Sequence, residues 1–209
     1  MHVITLNNRQ FGQHLGLLVE MYRLRRRVFK DRLDWSVSVS GDLELDVYDT
    51  LNPIIAMSDD VVIGCVRLLP TTGPTMLGDT FPALLGGQAP PRSDRILESS
   101  RFCVDTQLAA ELADSGLNRA TFTLFAAMIE SLRAVSADSI VTVTDTRTER
   151  ILRRAGWPLG RIAPPQRIGQ TMALAGFLHD SDDALAAMYR QVGVAGPVLL
   201  DAASLNVAA

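Results

Sequence analysis

The sequence predicts an α/β fold, a three-layer sandwich in which helices cover both faces of a mixed β-sheet. After a first helical pattern, strand patterns follow, then further helical patterns, and strands and helices alternate to the end of the chain. This order is typical of α/β and α+β sandwiches. A length of 209 residues with 47% hydrophobic and 21% charged residues is ordinary for a globular protein, so we expect a single domain over residues 1–209.

The N-terminal half begins with apolar residues at helical spacing, and this helix ends in a strongly basic stretch. Long loops in compact domains often carry function, and one is expected here. The predicted elements follow in this order: a helix over 11–30, an irregular acidic segment over 36–52, two short strands within 52–70 that turn at Asp59 and Asp60 and end at Pro70, and a long loop over 71–94 with one helical turn from Phe81 to Leu85.

The C-terminal half alternates between strands and helices, and Gly156 and Gly193 mark two helix ends. Acidic residues in the first turn of the last helix support its predicted start. The predicted elements follow in this order: a strand over 95–104, helices near 106–114 and 118–135, a strand over 139–145, a basic helix over 147–156, a strand over 170–178 and a helix over 180–193.

Composition excludes several classes of protein. A net charge of −3 gives no general affinity for nucleic acid, and no run reaches the ~20 apolar residues of a membrane helix. The N-terminus lacks a secretory pattern, and Cys65 and Cys103 lie in apolar runs typical of buried free thiols, so we expect a cytoplasmic protein. His2, His14 and His179 are scattered, so we expect no bound metal.

Charged residues interrupt two of the predicted strands. Glu98 and Arg101 lie in RILESSRFCV, and Arg67 lies in VVIGCVRLL. Ionised side chains are rarely buried without a partner, so each needs an opposite charge from elsewhere. Arg67 therefore forms either a structural ion pair or a ligand contact. Glu98 and Arg101 point to opposite faces of a regular strand, so a site that uses both requires a bulge between them.

An acidic segment precedes these strands, with four acids within eight residues: Asp42, Glu44, Asp46 and Asp49. A calcium-binding loop would need Gly at its sixth position and Glu at its twelfth, but Val47 and Pro53 stand there. Two interpretations stay open. The segment is a solvated loop, or Asp46 and Asp49 point inward and meet positive charge from other segments.

A basic segment, RTERILRRAGWPLGR, carries five arginines: Arg147, Arg150, Arg153, Arg154 and Arg161. They form either a solvated helix face or a docking patch for an acidic protein or a phosphate. The nearest approach to a coenzyme A pyrophosphate loop is RRAGWP, which has Pro158 where Gly or Ala is needed and follows a helix. This disfavours an ordinary N-acetyltransferase, and the absence of G-x-S-x-G and G-x-G-x-x-G disfavours hydrolases and dinucleotide-binding enzymes.

Three blocks of sequence, in this order and spacing, resemble the acyl-homoserine-lactone synthase family, the LuxI-type autoinducer synthases. The blocks are LRRRVFKDRLDW, LELDVYDTLNP, and GCVRLLPTTGPTML joined to TFP and ESSRF. The residues that match the family's motifs are Arg25, Phe29, Trp35, Asp46, Asp49, Arg67, Phe81, Glu98 and Arg101. The resemblance extends from the first helix to about residue 175 and shows no departure at those positions.

The resemblance implies a fold similar to the GCN5-related N-acetyltransferases, with N-terminal helices over a sheet that splays into a V-shaped cleft. It implies an enzyme that moves an acyl chain from acyl-acyl carrier protein, or from acyl-coenzyme A, to the α-amine of S-adenosylmethionine. The methionine carboxylate then closes the lactone and expels methylthioadenosine. S-adenosylmethionine is a substrate, so no cofactor is expected. A non-catalytic module that binds an acyl carrier or an adenosyl ligand is the alternative from another class.

The resemblance also assigns roles to the charged and aromatic residues. Glu98, Arg101 and Arg67 are the expected catalytic residues. Glu98 is the candidate base, because burial raises a carboxyl pKa, with an organising role in an ion-pair network as the alternative. The expected S-adenosylmethionine site combines both signs of charge with aromatic walls suited to a sulfonium: Arg25, Phe29, Trp35, Asp46, Asp49, Phe81 and Arg101.

The acyl chain is expected beside Thr142, Thr144, Phe102 and Val143. Family members that make 3-oxo products resemble this chain in carrying a threonine in this strand, so Thr142 is expected to favour a 3-oxo chain, with Thr144 as the alternative. Backbone N–H groups at a strand splay beside residues 102–104 are the expected oxyanion donors. The expected docking patch for the acidic carrier protein comprises Arg147, Arg150, Arg153 and Arg154. Neither a nucleic acid nor a membrane partner is expected.

Overall fold

The structure is a computed structural model, and it describes residues 1–6, 9–49, 53–58, 61–112 and 116–201. The chain begins with β1 (His2–Thr5), α1 (Leu15–Arg25) and a π-helical segment (Arg26–Arg32). The remaining elements are β2 (Val39–Ser40), β3 (Leu43–Glu44), β4 (Pro53–Ser58), β5 (Val61–Pro70), α2 (Met76–Asp79), a 3₁₀ turn (Pro82–Leu85), β6 (Ile96–Val104), α3 (Thr106–Leu112), α4 (Gly116–Ala134), β7 (Ser139–Asp145), α5 (Thr146–Arg154), β8 (Gly160–Arg161), β9 (Gln166–Ile168), β10 (Thr171–His179), α6 (Asp182–Val192) and β11 (Leu199–Asp201).

Within the described ranges, nine strands form one mixed sheet in the order β11-β1-β4-β5-β6-β7-β10-β8, with β9 paired to β10. The pairs β1–β11 and β6–β7 are parallel, and the other pairs are antiparallel. The strands β2 and β3 form a separate hairpin. The predicted α/β sandwich with a mixed sheet is confirmed.

The two central strands separate part of the way along their length. The parallel pairing of β6 with β7 joins residues 96–99 to residues 139–142. Beyond Ser99 and Thr142, β6 continues along β5 and β7 continues along β10. The sheet therefore opens into the expected V-shaped cleft, whose apex lies at Ser99 and Thr142.

Helices cover both faces of the sheet. On one face, α4 contributes Leu124, Phe125 and Ile129 to the largest apolar core, which also includes Trp157 and Leu185. On the other face, α1 packs Leu18, Met21 and Leu24 over Cys65 and Cys103, while α2 and the 3₁₀ turn cover the part near β7 and β10. Cys65 and Cys103 are buried free thiols with their sulfurs 3.5 Å apart, as predicted.

Local signals explain where the predicted helices begin and end. The Asp145 side chain accepts the N–H of Thr148 at 2.6 Å and caps α5, and the Ser181 hydroxyl accepts the N–H of Ala184 and caps α6. Gly156 and Gly193, with φ of +78° and +74°, follow the ends of these helices in the left-handed conformation that glycine adopts without strain. Both predicted glycine stops are confirmed.

Several local predictions differ from the structure. The first helix changes to π-helix at Arg26, and the predicted loop over 71–94 contains α2 in addition to the predicted turn. The β5 strand runs for ten residues and is not short. The short strands β1, β8, β9 and β11 carry too few residues for a periodic signal. The predicted turn at Asp59 and Asp60 lies outside the described residues, and the single domain over residues 1–209 stays a prediction.

Candidate active site

Three arginines from three different elements meet three carboxylates on the α1 face of the sheet. Arg25 of α1 contacts Asp49 at 2.5 and 3.1 Å, and Arg67 of β5 contacts Asp46 at 2.6 and 3.1 Å. Arg67 also reaches Asp49 at 2.8 Å, and Arg101 of β6 contacts Asp46 at 2.9 Å. Arg25 and Arg67 are fully buried. The inward orientation of Asp46 and Asp49 is therefore the correct one of the two open interpretations.

Arg101 reaches this cluster because β6 contains a bulge. Cys65 pairs with Cys103 and Arg67 pairs with Ser100, so two steps along β5 match three steps along β6. Arg101 has a φ of +56°, a left-handed conformation that is unusual for a residue with a side chain. A bulge with its first residue in this conformation turns the side chain toward the opposite face. The bulge that the sequence required for Glu98 and Arg101 to serve one site is present.

Glu44 is a member of the cluster that the sequence did not single out. Its carboxylate is completely buried and contacts Arg25 at 2.5 Å and Arg101 at 2.9 Å. Glu44 lies in β3, two residues before Asp46, so both side chains are on the same side of an extended segment. The spacing of two residues between Glu44 and Asp46 was the sequence signal that could have placed Glu44 in the cluster. With Glu44 included, the cluster holds three positive and three negative charges.

Aromatic rings line two sides of the cluster. Phe29 stacks on Trp35 with ring centroids 5.2 Å apart, and the Arg101 guanidinium lies 5.6 Å from the Phe29 centroid. The Tyr48 ring lies 5.3 Å from the Arg67 guanidinium. Phe81 packs beside Leu69 and Met76 at the opposite end. Phe29 therefore borders the ion pairs directly, Trp35 stacks behind it and remains 38% exposed, and Phe81 lies farther off, beside Met76.

Glu98 lies next to the cluster without an arginine partner of its own among the hydrogen bonds described. Its two carboxylate oxygens accept the N–H groups of Met76 and Leu77 at 2.8 and 2.7 Å. The Met76 sulfur lies 3.3 Å from an Arg67 nitrogen and 3.5 Å from an Arg101 nitrogen. Met76 thus separates Glu98 from the arginines. No sequence signal pointed to this role, because methionine usually fills apolar cores.

Burial and neighbouring charge move the pKa values of these groups in different directions. Burial raises the pKa of Glu98, and the N–H groups of Leu77 and Met76 offset this effect only in part. Burial also acts to raise the pKa of Asp46, but the hydrogen bond from Arg67 and the charge of Arg101 outweigh it, so that pKa is lowered. Asp46 is therefore fixed as an anion, whereas Glu98 is closer to exchanging a proton.

The predicted acyl-chain residues lie around the apex of the V-shaped cleft. The Ser99 hydroxyl donates to the Thr142 oxygen at 2.8 Å, and the Thr142 hydroxyl donates to the Ser99 carbonyl at 3.3 Å. Phe102 stacks on Phe125 of α4 with centroids 5.1 Å apart. Strand alternation places Thr144 on the same face as Thr142, and Val143 packs on the opposite face. Thr142, Thr144 and Phe102 therefore lie on the α4 side of the sheet, whereas Val143 lies on the other side, so the structure does not bring all four together.

The predicted docking arginines lie on the exposed surface of α5, which starts where β7 ends. Arg147, Arg150, Arg153 and Arg154 are all exposed. Arg153 is 3.9 Å from Glu149, and Arg161, the fifth arginine of the segment, forms a two-pronged pair with the same carboxylate at 2.6 Å. The other three have no carboxylate within 4 Å in the part of the chain that the structure describes. Their charge is therefore available at the surface.

Two further observations concern the described residues as a set. They include no group of three or more His, Cys, Asp or Glu side chains placed to hold a metal ion. They also include no helix with the length and apolarity to cross a bilayer.

The fold and the site together define an acyltransferase-like enzyme with a buried ionic cluster beside a splayed sheet. The family model described as "Autoinducer synthase" matches residues 12–188. An acyl-homoserine-lactone synthase from Agrobacterium fabrum is 46% identical over 181 residues, which cover 85% of this chain and 86% of that protein. A second, from Pseudomonas aeruginosa, is 38% identical over 164 residues, covering 76% of this chain and 80% of the relative.

Solved structures agree with these relatives. The acyl-homoserine-lactone synthase LasI has a TM-score of 0.79 at 35% identity, covering 93% of this chain and 98% of LasI. A coenzyme A-dependent acyl-homoserine lactone synthase, solved with S-adenosylmethionine and isopentyl-coenzyme A, has a TM-score of 0.85 at 20% identity. The match covers 96% of this chain and 92% of that synthase. An acyl-coenzyme A N-acyltransferase from Pseudomonas aeruginosa shares the fold, with a TM-score of 0.58 at 12% identity. The match covers 84% of this chain and 97% of the N-acyltransferase.

This chain therefore belongs to the autoinducer synthase family, the acyl-homoserine-lactone synthases, and is an acyltransferase. The family resemblance predicted from the sequence is confirmed.

Proposed function

We propose that this enzyme joins the acyl group of an acyl-acyl carrier protein to S-adenosylmethionine, and releases methylthioadenosine and an N-acyl-L-homoserine lactone. The observation that carries the proposal is the cluster of Arg25, Arg67 and Arg101 with Glu44, Asp46 and Asp49, next to the cleft. A substrate with an ammonium, a sulfonium and a carboxylate needs a site with both signs of charge. This cluster supplies both signs of charge, and the stacked rings of Phe29 and Trp35 lie beside it with Trp35 partly exposed.

Binding would proceed by exchange of ion pairs. Arg101 is 11% exposed and lies nearer the surface than Arg25 and Arg67, so its bonds to Glu44 and Asp46 are the ones most easily replaced by the substrate carboxylate. Asp46 and Asp49 would then face the cationic groups of the substrate. The stacked rings of Phe29 and Trp35 provide a face for the sulfonium, an attraction worth about 0.5–2 kcal/mol.

Acyl transfer requires a neutral amine. Glu98 is the candidate base, because its pKa is raised and it is within reach of the ionic cluster through Met76. The amine would lose one proton to Glu98, directly or through water, and attack the thioester carbonyl. The carrier's thiolate would leave and take up a proton. We propose that N–H groups of β6 beyond the bulge stabilise the oxyanion, a role supported by the separation of β6 from β7 at that point.

Lactone closure needs only correct placement. The substrate carboxylate attacks its own γ-carbon, the bond from that carbon to sulfur breaks, and methylthioadenosine leaves as a neutral thioether. Because the sulfonium is a built-in leaving group, we propose that neither a metal nor another cofactor takes part. Arg101 and Arg25 would orient the carboxylate without neutralising it by protonation, which keeps it nucleophilic.

The exposed arginines of α5 support a carrier protein as the acyl donor. Arg147, Arg150 and Arg154 lie on one side of the helix, since their positions differ by three, four and seven residues. Ile151 lies among them and is 36% exposed, which adds an apolar contact to the basic patch. The Asp145 cap places this helix directly at the open end of β7. Coenzyme A as donor is the alternative, and the comparison of the two donors decides between them.

The experiment is a turnover assay with purified enzyme, S-adenosylmethionine and an acyl chain supplied either on carrier protein or on coenzyme A. We expect methylthioadenosine and an acyl-homoserine lactone, identified by mass spectrometry, with a kcat/KM at least about tenfold higher for the carrier donor, a difference of about 1.4 kcal/mol. Equal or higher kcat/KM with acyl-coenzyme A would contradict the carrier proposal. The cytoplasmic location stays a prediction, supported by the free thiols of Cys65 and Cys103.

A further inference from the structure

Tyr48 connects three parts of the site that otherwise come from distant segments. Its backbone N–H donates to Asp46 at 2.9 Å, within the acidic loop of residues 46–49. Its ring lies against the Arg67 guanidinium. Its hydroxyl donates to Asp79 at 3.1 Å and lies 3.4 Å from the Thr75 carbonyl, at the two ends of α2. The Tyr48 side chain is buried, so its ring contact with Arg67 is shielded from water.

The helix α2 needs such support, because a helix of four residues has no stability of its own in water. Inside the helix, the Thr75 hydroxyl accepts the N–H of Gly78 at 3.1 Å. Outside it, the Tyr48 hydroxyl reaches Asp79 at its last turn. The helix in turn supplies both N–H groups that hold Glu98. Movement of α2 would therefore remove the two hydrogen bonds that orient the proposed base.

We propose that Tyr48 and Asp79 form a latch between the acidic loop and α2, and that both are positioning residues that hold the S-adenosylmethionine pocket and Glu98 in one geometry for acyl transfer. The inference rests on the proposed function. The main contact of the latch is the hydrogen bond from the buried phenol to the exposed Asp79 carboxylate, at the rim of the loop over 71–94, and the Thr75 carbonyl is a second, longer acceptor. Burial raises the pKa of Tyr48, which keeps the hydroxyl a donor throughout the neutral range.

The latch also has an electrostatic consequence for Glu98. The charged and titratable groups that act on Glu98 from the packed elements are Arg67 of β5, Asp79 of α2 and Tyr48 of the acidic loop. Arg67 favours the ionised carboxylate, and the negative charge of Asp79 favours the protonated form. Removing the charge of Asp79 would therefore allow Glu98 to lose its proton at lower pH.

The test compares Tyr48→Phe, Asp79→Asn and the double variant with the unmodified enzyme. Tyr48→Phe keeps the ring on Arg67 and removes only the hydroxyl. We expect each single variant to lower kcat about tenfold, the size expected for a hydrogen bond to a charged group. We expect kcat of the double variant to be no lower than that of the poorer single variant, because both substitutions remove the same hydrogen bond.

We also expect Asp79→Asn to move the acidic limb of the kcat–pH profile to lower pH, an effect that a structural role would not produce.

Tyr189→Phe is the matched control. The Tyr189 hydroxyl of α6 donates to Glu130 of α4 at 2.7 Å, which is the same chemical contact at a place far from the site in sequence. We expect this variant to keep its kcat and KM. Turnover of Tyr48→Phe equal to the unmodified enzyme, or additive losses in the double variant, would overturn the latch alone. Absence of methylthioadenosine formation by the unmodified enzyme would overturn the proposed function and the latch with it.

Discussion

At the scale of single residues, the proposed chemistry depends on the protonation of Glu98. The carboxylate is buried in an apolar strand, yet both of its oxygens accept backbone N–H groups. These hydrogen bonds keep the ionised form accessible, while burial raises the pKa. A base of this kind is suited to accept one proton from an ammonium during catalysis.

We expect Glu98→Gln to lower the rate of acyl transfer by about 10²-fold or more, the usual contribution of a general base. In the unmodified enzyme the acidic limb of the kcat–pH profile should lie above the ordinary glutamate pKa of 4.5, because the pKa of Glu98 is raised. The variant should lose this limb. Single-turnover rates over a pH series measure both effects.

The matched control is Glu130→Gln. Glu130 also accepts two backbone N–H groups, from Val198 and Leu199, but on the opposite side of the sheet from the ionic cluster. This variant should lose stability and keep its turnover. Near-normal acyl transfer by Glu98→Gln across the pH series would exclude Glu98 as the base and leave it an organising role.

Thr142 is the residue on which acyl selectivity is predicted to depend. Its hydroxyl donates to the Ser99 carbonyl over 3.3 Å, a long bond that a ligand oxygen could replace at small cost. We expect Thr142→Ala to shift the products from 3-oxo toward unsubstituted chains by about fivefold to tenfold, the effect of one hydrogen bond. Mass spectrometry of the lactones formed from matched 3-oxo and unsubstituted donors measures this ratio. An unchanged ratio, with Thr144→Ala as the comparison variant, would show that Thr142 only ties β7 to β6.

At the scale of secondary-structure elements, two irregularities create the site. The bulge in β6 turns Arg101 toward the acids, and the separation of β6 from β7 opens the cleft beside it. The π-helical segment after α1 buries both Val28 and Phe29 and brings Trp35 over Phe29. Departures from regular geometry are typical of functional sites, because they aim side chains that a regular element would point elsewhere.

The exposed arginines of α5 are predicted to dock the carrier protein. We expect the double charge reversal Arg147→Glu with Arg150→Glu to raise KM for acyl-acyl carrier protein about tenfold or more, through loss of attraction to an acidic partner. KM for S-adenosylmethionine should be unchanged, and the effect should weaken at high salt. Steady-state kinetics at two ionic strengths measure it.

The control for α5 is Arg119→Glu with Arg190→Glu. Both arginines are exposed, and they lie on α4 and at the end of α6, so the pair changes the net charge by the same amount elsewhere. This double variant should leave KM for the carrier near its original value. An equal rise in KM for both double variants would indicate a general charge effect and no docking at α5.

At the scale of the whole molecule, the ionic cluster joins the N-terminal segments to the sheet. Arg25 belongs to α1, Glu44 to β3, and Arg67 and Arg101 to the central strands. Buried ion pairs contribute little net stability compared with apolar packing, but loss of one partner leaves an uncompensated charge and costs about 3–5 kcal/mol. The positions of α1 and β3 on the sheet therefore depend on the charges of the site.

We expect the free energy of unfolding to fall on acidification. The pKa of Asp46 in the folded state is below its ordinary value of 3.8, so its contribution is complete above that value and is lost as the pH falls through the folded pKa. The contribution of Asp46 should be level from pH 7 to about pH 5 and should decline below about pH 4, whereas the raised pKa of Glu98 acts in the opposite direction at higher pH. Urea unfolding at pH 7, 5, 4 and 3 measures it.

Asp46→Asn tests the origin of this dependence. The variant should be less stable at pH 7 and should lose less stability between pH 5 and pH 3 than the unmodified protein. The same acid dependence in both proteins would place its cause in other carboxylates, such as Asp138 or Glu149, whose pKa values are also lowered by arginine partners.

Much of the fold could be predicted because the patterns are local. The strands 96–104, 139–145 and 171–179 appear as apolar runs of strand length, and Gly156 and Gly193 end their helices as expected. Most residues of the site could be predicted, but the pairs of residues that contact each other could not. Charged residues in apolar strands demand partners, but Glu44 and Met76 were not assigned to the site, because their roles depend on which segments fold against them.

The sequence by itself determined the layered fold and the presence of a charged site, since hydrophobic period and unpaired charge are properties of short segments. It also determined the family, through three ordered motifs. Tertiary structure alone decided which arginine meets which acid, where the sheet opens, and that α2 holds Glu98. These features depend on contacts between residues 18 to 57 positions apart, and such contacts leave no local pattern along the chain.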